Sequence, residues 1–156
     1  MNTKEMVEEF LEKAKSRNTP IKVLVAGSRS FSDYIFFKKI MYDLLQNFPD
    51  TELVSGKASS GPDMMAIEYA KEVGLICHEF PANWNDIGVP NVRIKVNGKG
   101  RQYNANAGHD RNQIMAEFAD FFIIFWDGKS PGTRDMINRA KKHIKYGVIF
   151  KIEDVD

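Results

Sequence analysis

The chain has 156 residues, 43% hydrophobic and 28% charged, the profile of one folded domain and too apolar for a disordered segment. Its 22 Lys and Arg against 21 Asp and Glu leave a net charge of +1, which excludes a broad polyanion surface, so a nucleic-acid partner is not expected, and leaves room for a small basic pocket. The one cysteine, Cys77, excludes an intrachain disulfide framework and a multi-cysteine zinc site; no apolar run reaches the ~20 residues of a membrane span and the start Met1-Asn-Thr-Lys-Glu-Met6 lacks a signal-peptide pattern, so a cytoplasmic protein is expected.

Residues 3–17 carry Met6, Val7, Phe10, Leu11 and Ala14 on one helical stripe that Thr3 can cap. Balanced charges on the other face suggest a helix packed on the outside of the domain, with an oligomer contact as the alternative. Asn18-Thr-Pro20 stops it. Ile21 to Ala26 is a short apolar run ending at Gly27, the pattern of a strand buried on both faces of a parallel sheet. Ser32 or Asp33 can cap a helix running to about Asn47, with Ile35, Phe36, Ile40, Leu44 and Leu45 inward. The unit then recurs. Thr51 to Ser55 reads as a strand, Pro62 to Val73 as a helix with proline in its first turn, and Leu75 to Phe80 as a strand.

Residues 83–107 break this rhythm with many Asn and Gly. Val92 to Val96 alternates apolar and basic residues ahead of Asn97-Gly98, which predicts a short β-hairpin or mobile flap, with a solvated insertion as the alternative. A helix from Ala107 to Phe118, a strand over Phe121 to Trp126, a helix from Thr133 to about Lys145 and a strand over Gly147 to Ile152 complete the chain. Strand–loop–helix alternation implies a single α/β domain over 1–156: a doubly wound sheet of about five mainly parallel strands with helices on both faces, an N-terminal helix and the 83–107 insertion.

Three loops leave strands toward helices in the direction where open α/β sheets bind ligands. They are Gly27-Ser28-Arg29-Ser30, the run Ser55-Gly56-Lys57 to Gly61 followed by Asp63, and Asp127-Gly128-Lys129-Ser130-Pro131-Gly132-Thr133. Glycine admits an anion close to the backbone, helix N-termini supply free N–H groups, and Ser, Thr, Lys and Arg add donors. Together they describe a phosphate or carboxylate cradle. The loops are not the dinucleotide fingerprint G-x-G-x-x-G. Gly56 to Gly61 has the Walker spacing, but Pro62-Asp63 follows in place of Lys-Ser/Thr.

Arg111 can clamp a phosphate or pair with Glu117 or Asp110 on the surface. His109, Asp110, Asp127 or Asp135 can serve as acid or base, and His109 can instead stand solvated at a helix start. Trp84 lies in the polar insertion, where an aromatic has no core to join, and can cover a base; Trp126 has core packing as its alternative. Asp63 and Asp127 can hold a ribose hydroxyl or cap a turn. No His, Cys and carboxylate set has metal-ligand spacing, and no cofactor is expected.

Val25-Ala-Gly-Ser-Arg-Ser-Phe31, Val54-Ser-Gly56 with Gly61-Pro-Asp63, Arg111-Asn112 with Met115, and Trp126-Asp-Gly-Lys-Ser-Pro-Gly-Thr133 stand in one order along residues 21–150. In this the chain resembles the SLOG superfamily, particularly the small YspA-like (cpYpsA-related) proteins frequent in bacteria and phages. The resemblance implies a Rossmann-like sheet and a nucleotide-derived ligand. Relatives include LOG-type phosphoribohydrolases, DprA-type DNA-binding proteins, and sensor domains for nucleotide signals such as cyclic ADP-ribose-like molecules of defence systems. LOG hydrolases carry an Arg-Lys pair and a P-G-G-x-G-T-x-x-E loop. Here Arg111 matches the arginine, Asn112 replaces the lysine, Gly132-Thr133 match the Gly-Thr, and Met136 replaces the glutamate. Methionine cannot ionise, which favours binding over hydrolysis.

The expected ligand is therefore a nucleotide or ADP-ribose-like molecule. It would be held by Gly27, Ser28, Arg29, Ser55, Gly56, Lys57, Gly61, Asp63, Trp84, Arg111, Asn112, Asp127, Gly128, Lys129, Gly132 and Thr133. Its holder is a sensor or a sequestering protein, phage-encoded and directed at a defence signal if the resemblance extends that far. The alternative is a nucleotide hydrolase using Arg111, His109 and Asp135. The apolar N-terminal helix and the resemblance point to a homo-oligomer.

Overall fold

The computed structural model describes residues 2–153, so the acidic tail from residue 154 onward lies outside them. The elements are α1 (Thr3–Ala14), β1 (Ile21–Gly27), α2 (Tyr34–Leu45), β2 (Thr51–Ser55), α3 (Pro62–Val73), β3 (Cys77–Glu79), β4 (Ile94–Val96), β5 (Gln102–Asn104), α4 (Ala107–Phe118), β6 (Phe121–Trp126), α5 (Pro131–His143) and β7 (Tyr146–Lys151). Five strands form one sheet in the order β3-β2-β1-β6-β7, every neighbouring pair parallel. β4 and β5 pair antiparallel as a separate ribbon. The fold is Rossmann-like, as the sequence predicts.

Why β1 and β6 carry almost unbroken apolar runs is plain from their faces. Successive side chains alternate across a strand. Val23 and Val25 join Ile123 and Phe125 in one core, against α1, α2 and α3. Leu24 and Ala26 join Phe122 and Ile124 in the other, against α4 and α5. Both faces are dry, so neither position can be polar.

The cap and end of α1 and the buried face of α2 are corrected, while α1 packs by its apolar stripe onto the outside of the domain as expected. The cap of α1 is Asn2, whose side chain accepts from the Glu5 N–H at 2.8 Å, and the helix ends at Ala14. Its stripe packs inside: Phe10 rests against Phe48, Phe121 and Tyr146, which leaves no apolar α1 face for a second copy. In α2, capped by Asp33, the buried residues are Phe37 and Met41. Ile35 is 80% exposed and Phe36 also faces outward. Ile40, Leu44 and Leu45 pack against the core as expected.

Candidate functional site

The chain leaves β1 to build β2 and β3 on one side, then returns to place β6 and β7 on the other. The loops after β1 and β6 therefore diverge to opposite faces and open a crevice between them. A cavity of about 700 Å³ lies there. β1 and the loop after it supply Gly27 and Arg29, the first turn of α3 supplies Asp63, and the insertion with α4 supplies Trp84, His109, Arg111 and Asn112. Asp127, Gly132 and Thr133 come from the β6–α5 segment. The remaining predicted residues do not line it. Three of them organise the loops instead.

Ser28 is fully buried, and its Oγ accepts from the Asp127 N–H at 3.1 Å, tying the β1 loop to the β6 loop. Ser55, also fully buried, donates from Oγ to the Asp63 carbonyl at 2.7 Å and accepts from the Lys57 N–H. Gly61 has φ +77°, and a Cβ there would stand 2.9 Å from the Ser28 carbonyl, so two loops meet at a residue that must be glycine. Lys57 pairs with Glu79 at 3.1 Å, Gly56 lies buried beneath Arg111 and Asp63, and Gly128 and Lys129 form the outer turn of the β6–α5 loop. Gly27 is required by packing: a Cβ would stand 2.4 Å from the Phe125 carbonyl and 2.5 Å from the Pro62 ring.

The helix ends at this site differ from those away from it. α1 and α2 have side-chain caps, whereas α3, α4 and α5 begin at Gly61, Asn106 and Ser130 with no side-chain capping bond. Three first turns thus bring N–H groups without intrahelical acceptors, and positive dipole ends, to one end of the sheet. At α5, Pro131 has no N–H to offer, and the Gly132 side is open, with nothing within 4 Å of a would-be Cβ.

Asp127 shapes this loop. Its carboxylate accepts from the Ser130 and Lys129 N–H groups, both at 2.8 Å, and from Ser130 Oγ at 2.9 Å. Those bonds, led by the Ser130 N–H, hold its pKa down at about 2. Of its two sequence readings, the turn is the one observed.

Arg111 is half-buried, not surface-paired. It donates through Nη1 to the Gly56 carbonyl and to the Phe80 carbonyl at 3.3 Å, and through Nε to Asn112 Oδ1 at 3.0 Å. Neither Glu117 nor Asp110 partners it. Burial pulls its pKa below the usual value and the nearby Asp63 pulls it back up; the guanidinium stays charged. Asn112, buried, turns its amide N–H to Asp135 at 2.9 Å. Asp135 also accepts from Arg139 Nε at 2.9 Å and faces His109 Nδ1 at 3.1 Å. Burial works to raise the Asp135 pKa, and these bonds outweigh it, so the pKa is lowered. Asp135 itself stays behind the wall, while His109 and the almost fully buried Met136 line the cavity.

The insertion folds back on the site. Trp84 lies over Gly108 in the first turn of α4, where a Cβ would stand 3.0 Å from its ring. Its carbonyl accepts from the Asn104 N–H at 2.7 Å, and Tyr103 meets it edge-on. Ala26, Ala58, Ala105, Gly108, Met115 and Met136 also line the cavity and were not predicted as site residues. Small and apolar walls carry no chemical signature; only the strand register and the motif spacing point to them.

A parallel sheet with its crevice at the strand-order reversal, floored by three uncapped helix starts, defines a Rossmann-like protein with an anion-receptive pocket. Residues 21–86, from β1 into the insertion, match the model of the YspA, cpYpsA-related SLOG family. Over that segment, somewhat under half of its length, the chain is similar to the YspA-like branch of the SLOG superfamily. No curated protein and no solved structure matches the chain. Among the described residues no helix is long and apolar enough to cross a membrane, and no group of three or more His, Cys, Asp or Glu is placed to hold a metal ion.

Proposed function

We propose that the protein binds a small nucleotide-derived anion, a nucleotide or an ADP-ribose-like molecule, as its sensor or sequestering protein. The observation that carries this reading is the convergence of three uncapped helix N-termini, Arg29 and Arg111 around one cavity. The phosphate sits at the α5 start, with Gly132 and Thr133, and Trp84 covers the base. Cavity size agrees, since ligand pockets run to roughly 300–1,000 Å³. The test incubates the pure protein with nucleoside monophosphates and cyclic ADP-ribose isomers and reads both melting temperature and product. A stabilising ligand recovered intact supports the reading; no shift with any of them removes it.

A second reading, nucleotide hydrolysis, is favoured by one contact. Asp135 faces His109 Nδ1 at 3.1 Å, an arrangement that can orient the ring so that Nε2 takes a proton from water. Met136 at the wall offers no acid. Product that disappears in His109→Ala would favour the hydrolase. A homo-oligomer belongs to the same proposal; exposed Ile35, Tyr42 and Val96 support it, and sedimentation equilibrium decides it.

A further inference from the structure

Asp63 is a buried acid that the protein leaves half-satisfied. It sits in the first turn of α3, 7% exposed, and still borders the cavity. An ionised carboxylate has about four lone-pair positions. Among the described residues it receives one hydrogen bond, from the Ala58 N–H to Oδ2 at 3.2 Å, and no ion pair. Arg111, whose charge bears on it more than that of Arg29, commits Nη1 to the Gly56 and Phe80 carbonyls and Nε to Asn112, and makes no hydrogen bond to Asp63 among the described residues. Burying a carboxylate is costly unless hydrogen bonds or an opposite charge compensate it. Burial accordingly pushes its pKa up, against the pull of the Ala58 N–H and of the Arg111 and Arg29 charges. Because the residue lines the cavity, its spare acceptor capacity is open to a ligand there.

Charge decides what fills it. A phosphate cannot sit against a carboxylate, because two anions in contact repel. An ammonium is disfavoured by the two guanidinium groups close by. What remains is an uncharged donor on an otherwise anionic ligand, and beside the phosphate of a nucleotide those donors are the sugar hydroxyls. We propose that Asp63 is a specificity-determining residue, accepting hydrogen bonds from the ribose 2′- and 3′-hydroxyls and selecting ribonucleotide-type ligands over those lacking the hydroxyls. This rests on the nucleotide reading above. Asp127, the other acid at the cavity, already accepts three hydrogen bonds that hold the β6–α5 turn, so Asp63 has the greater spare capacity.

The test is titration calorimetry of the full chain with AMP, GMP, CMP, UMP and IMP and with their 2′,3′-dideoxy counterparts. Wild type, Asp63→Asn and Asp63→Ala are compared, with melts to verify folding; asparagine keeps an acceptor for the Ala58 N–H. A hydrogen bond to a charged group implies that wild type prefers the ribose form by about 10- to 100-fold, and that both variants lose the preference. Equal binding of ribose and dideoxy forms by wild type overturns the role of Asp63 and leaves the nucleotide reading intact, whether or not the variants fold. Preference retained in folded variants overturns it as well. Discrimination between AMP and IMP with none between ribose and dideoxy forms assigns the acid to the base and overturns the ribose role. No heat with any of these nucleotides overturns this inference and the mononucleotide form of the binding proposal together, and leaves the ADP-ribose-like form to the melting test above.

Discussion

Arg29 and Arg111 are both cations of the cavity, but only Arg111 is tied to the protein. Arg29 is exposed and its side chain makes no hydrogen bond among the described residues, whereas Arg111 satisfies two backbone carbonyls at the ends of β2 and β3. Arg29→Ala should weaken nucleotide binding and leave the urea midpoint unchanged. Arg111→Ala should weaken binding and also cost about 1–3 kcal/mol of stability, since it strands two acceptors; an unchanged midpoint would contradict the bonding described. The sequence shows both arginines near glycine-rich loops, and it cannot show this difference, because Gly56 and Phe80 reach Arg111 only through the fold. Asp63 and Asp127 differ in the same way, and their effects on acid stability have opposite signs. The folded pKa of Asp63 lies above 3.8, so its penalty is present above that folded pKa and is relieved as pH falls through it toward 3.8. The folded pKa of Asp127 is about 2, so its contribution is complete above 3.8 and is lost as pH falls from there through about 2. Urea melts across pH check this. The stability of Asp63→Asn relative to wild type should grow as pH rises above 3.8, and that of Asp127→Asn should grow as pH falls below it. Differences that do not vary with pH would refute the assignments.

Most elements are legible because each has a local cause. The parallel strands show as apolar runs, proline marks the start of α3, and Asn97-Gly98 marks the turn of the β4–β5 ribbon, whereas α5 begins at Pro131, ahead of the expected Thr133. The face of α2 is not legible, because Ile35, Phe36, Phe37, Ile40 and Met41 spread apolar residues around the helix. Periodicity then cannot choose the buried side; contact with Tyr69 and Phe125 chooses Phe37. The lining role of Ala105 is not legible, whereas the insertion is readable as a hairpin and, through Trp84, as part of the site. It is joined at its base by the bonds of Asn104 N–H to Trp84 O, Ala105 N–H to Arg93 O and Asn106 Nδ2 to Asn91 O. Its outer face carries exposed Ile94 and Val96, and a two-stranded ribbon alone is only marginally stable. A ligand packed under Trp84 should therefore slow proteolysis within residues 83–101 several-fold, measured by mass spectrometry of the fragments. Equal cleavage with and without a stabilising nucleotide would remove Trp84 from the site.

At the scale of the molecule, a net charge of +1 and a cationic cavity are compatible because the fold sorts the charges. Arg29 and Arg111 meet from segments more than eighty residues apart, while the acids of α1 stay on the far end of the sheet. What the sequence withholds is this assembly: the strand order β3-β2-β1-β6-β7 is set by packing between distant runs, and no local signal states it. The assembly has a thermodynamic consequence. The cavity draws its walls from the loop after β1, the start of α3, the start of α4 and the start of α5, which lie on both faces of the sheet. Opening either face destroys the site, so the ligand can bind only the fully folded chain. A nucleotide at a hundred times its dissociation constant should then raise the global unfolding free energy by about 2.7 kcal/mol. Hydrogen exchange should show the gain in the cores of both faces at once, at the Met65 and Ala66 amides of α3 and at the Met115 and Ala116 amides of α4. Protection confined to the insertion would instead mean that the ligand sits on the ribbon and not in the crevice, because a ligand held by one element stabilises that element alone.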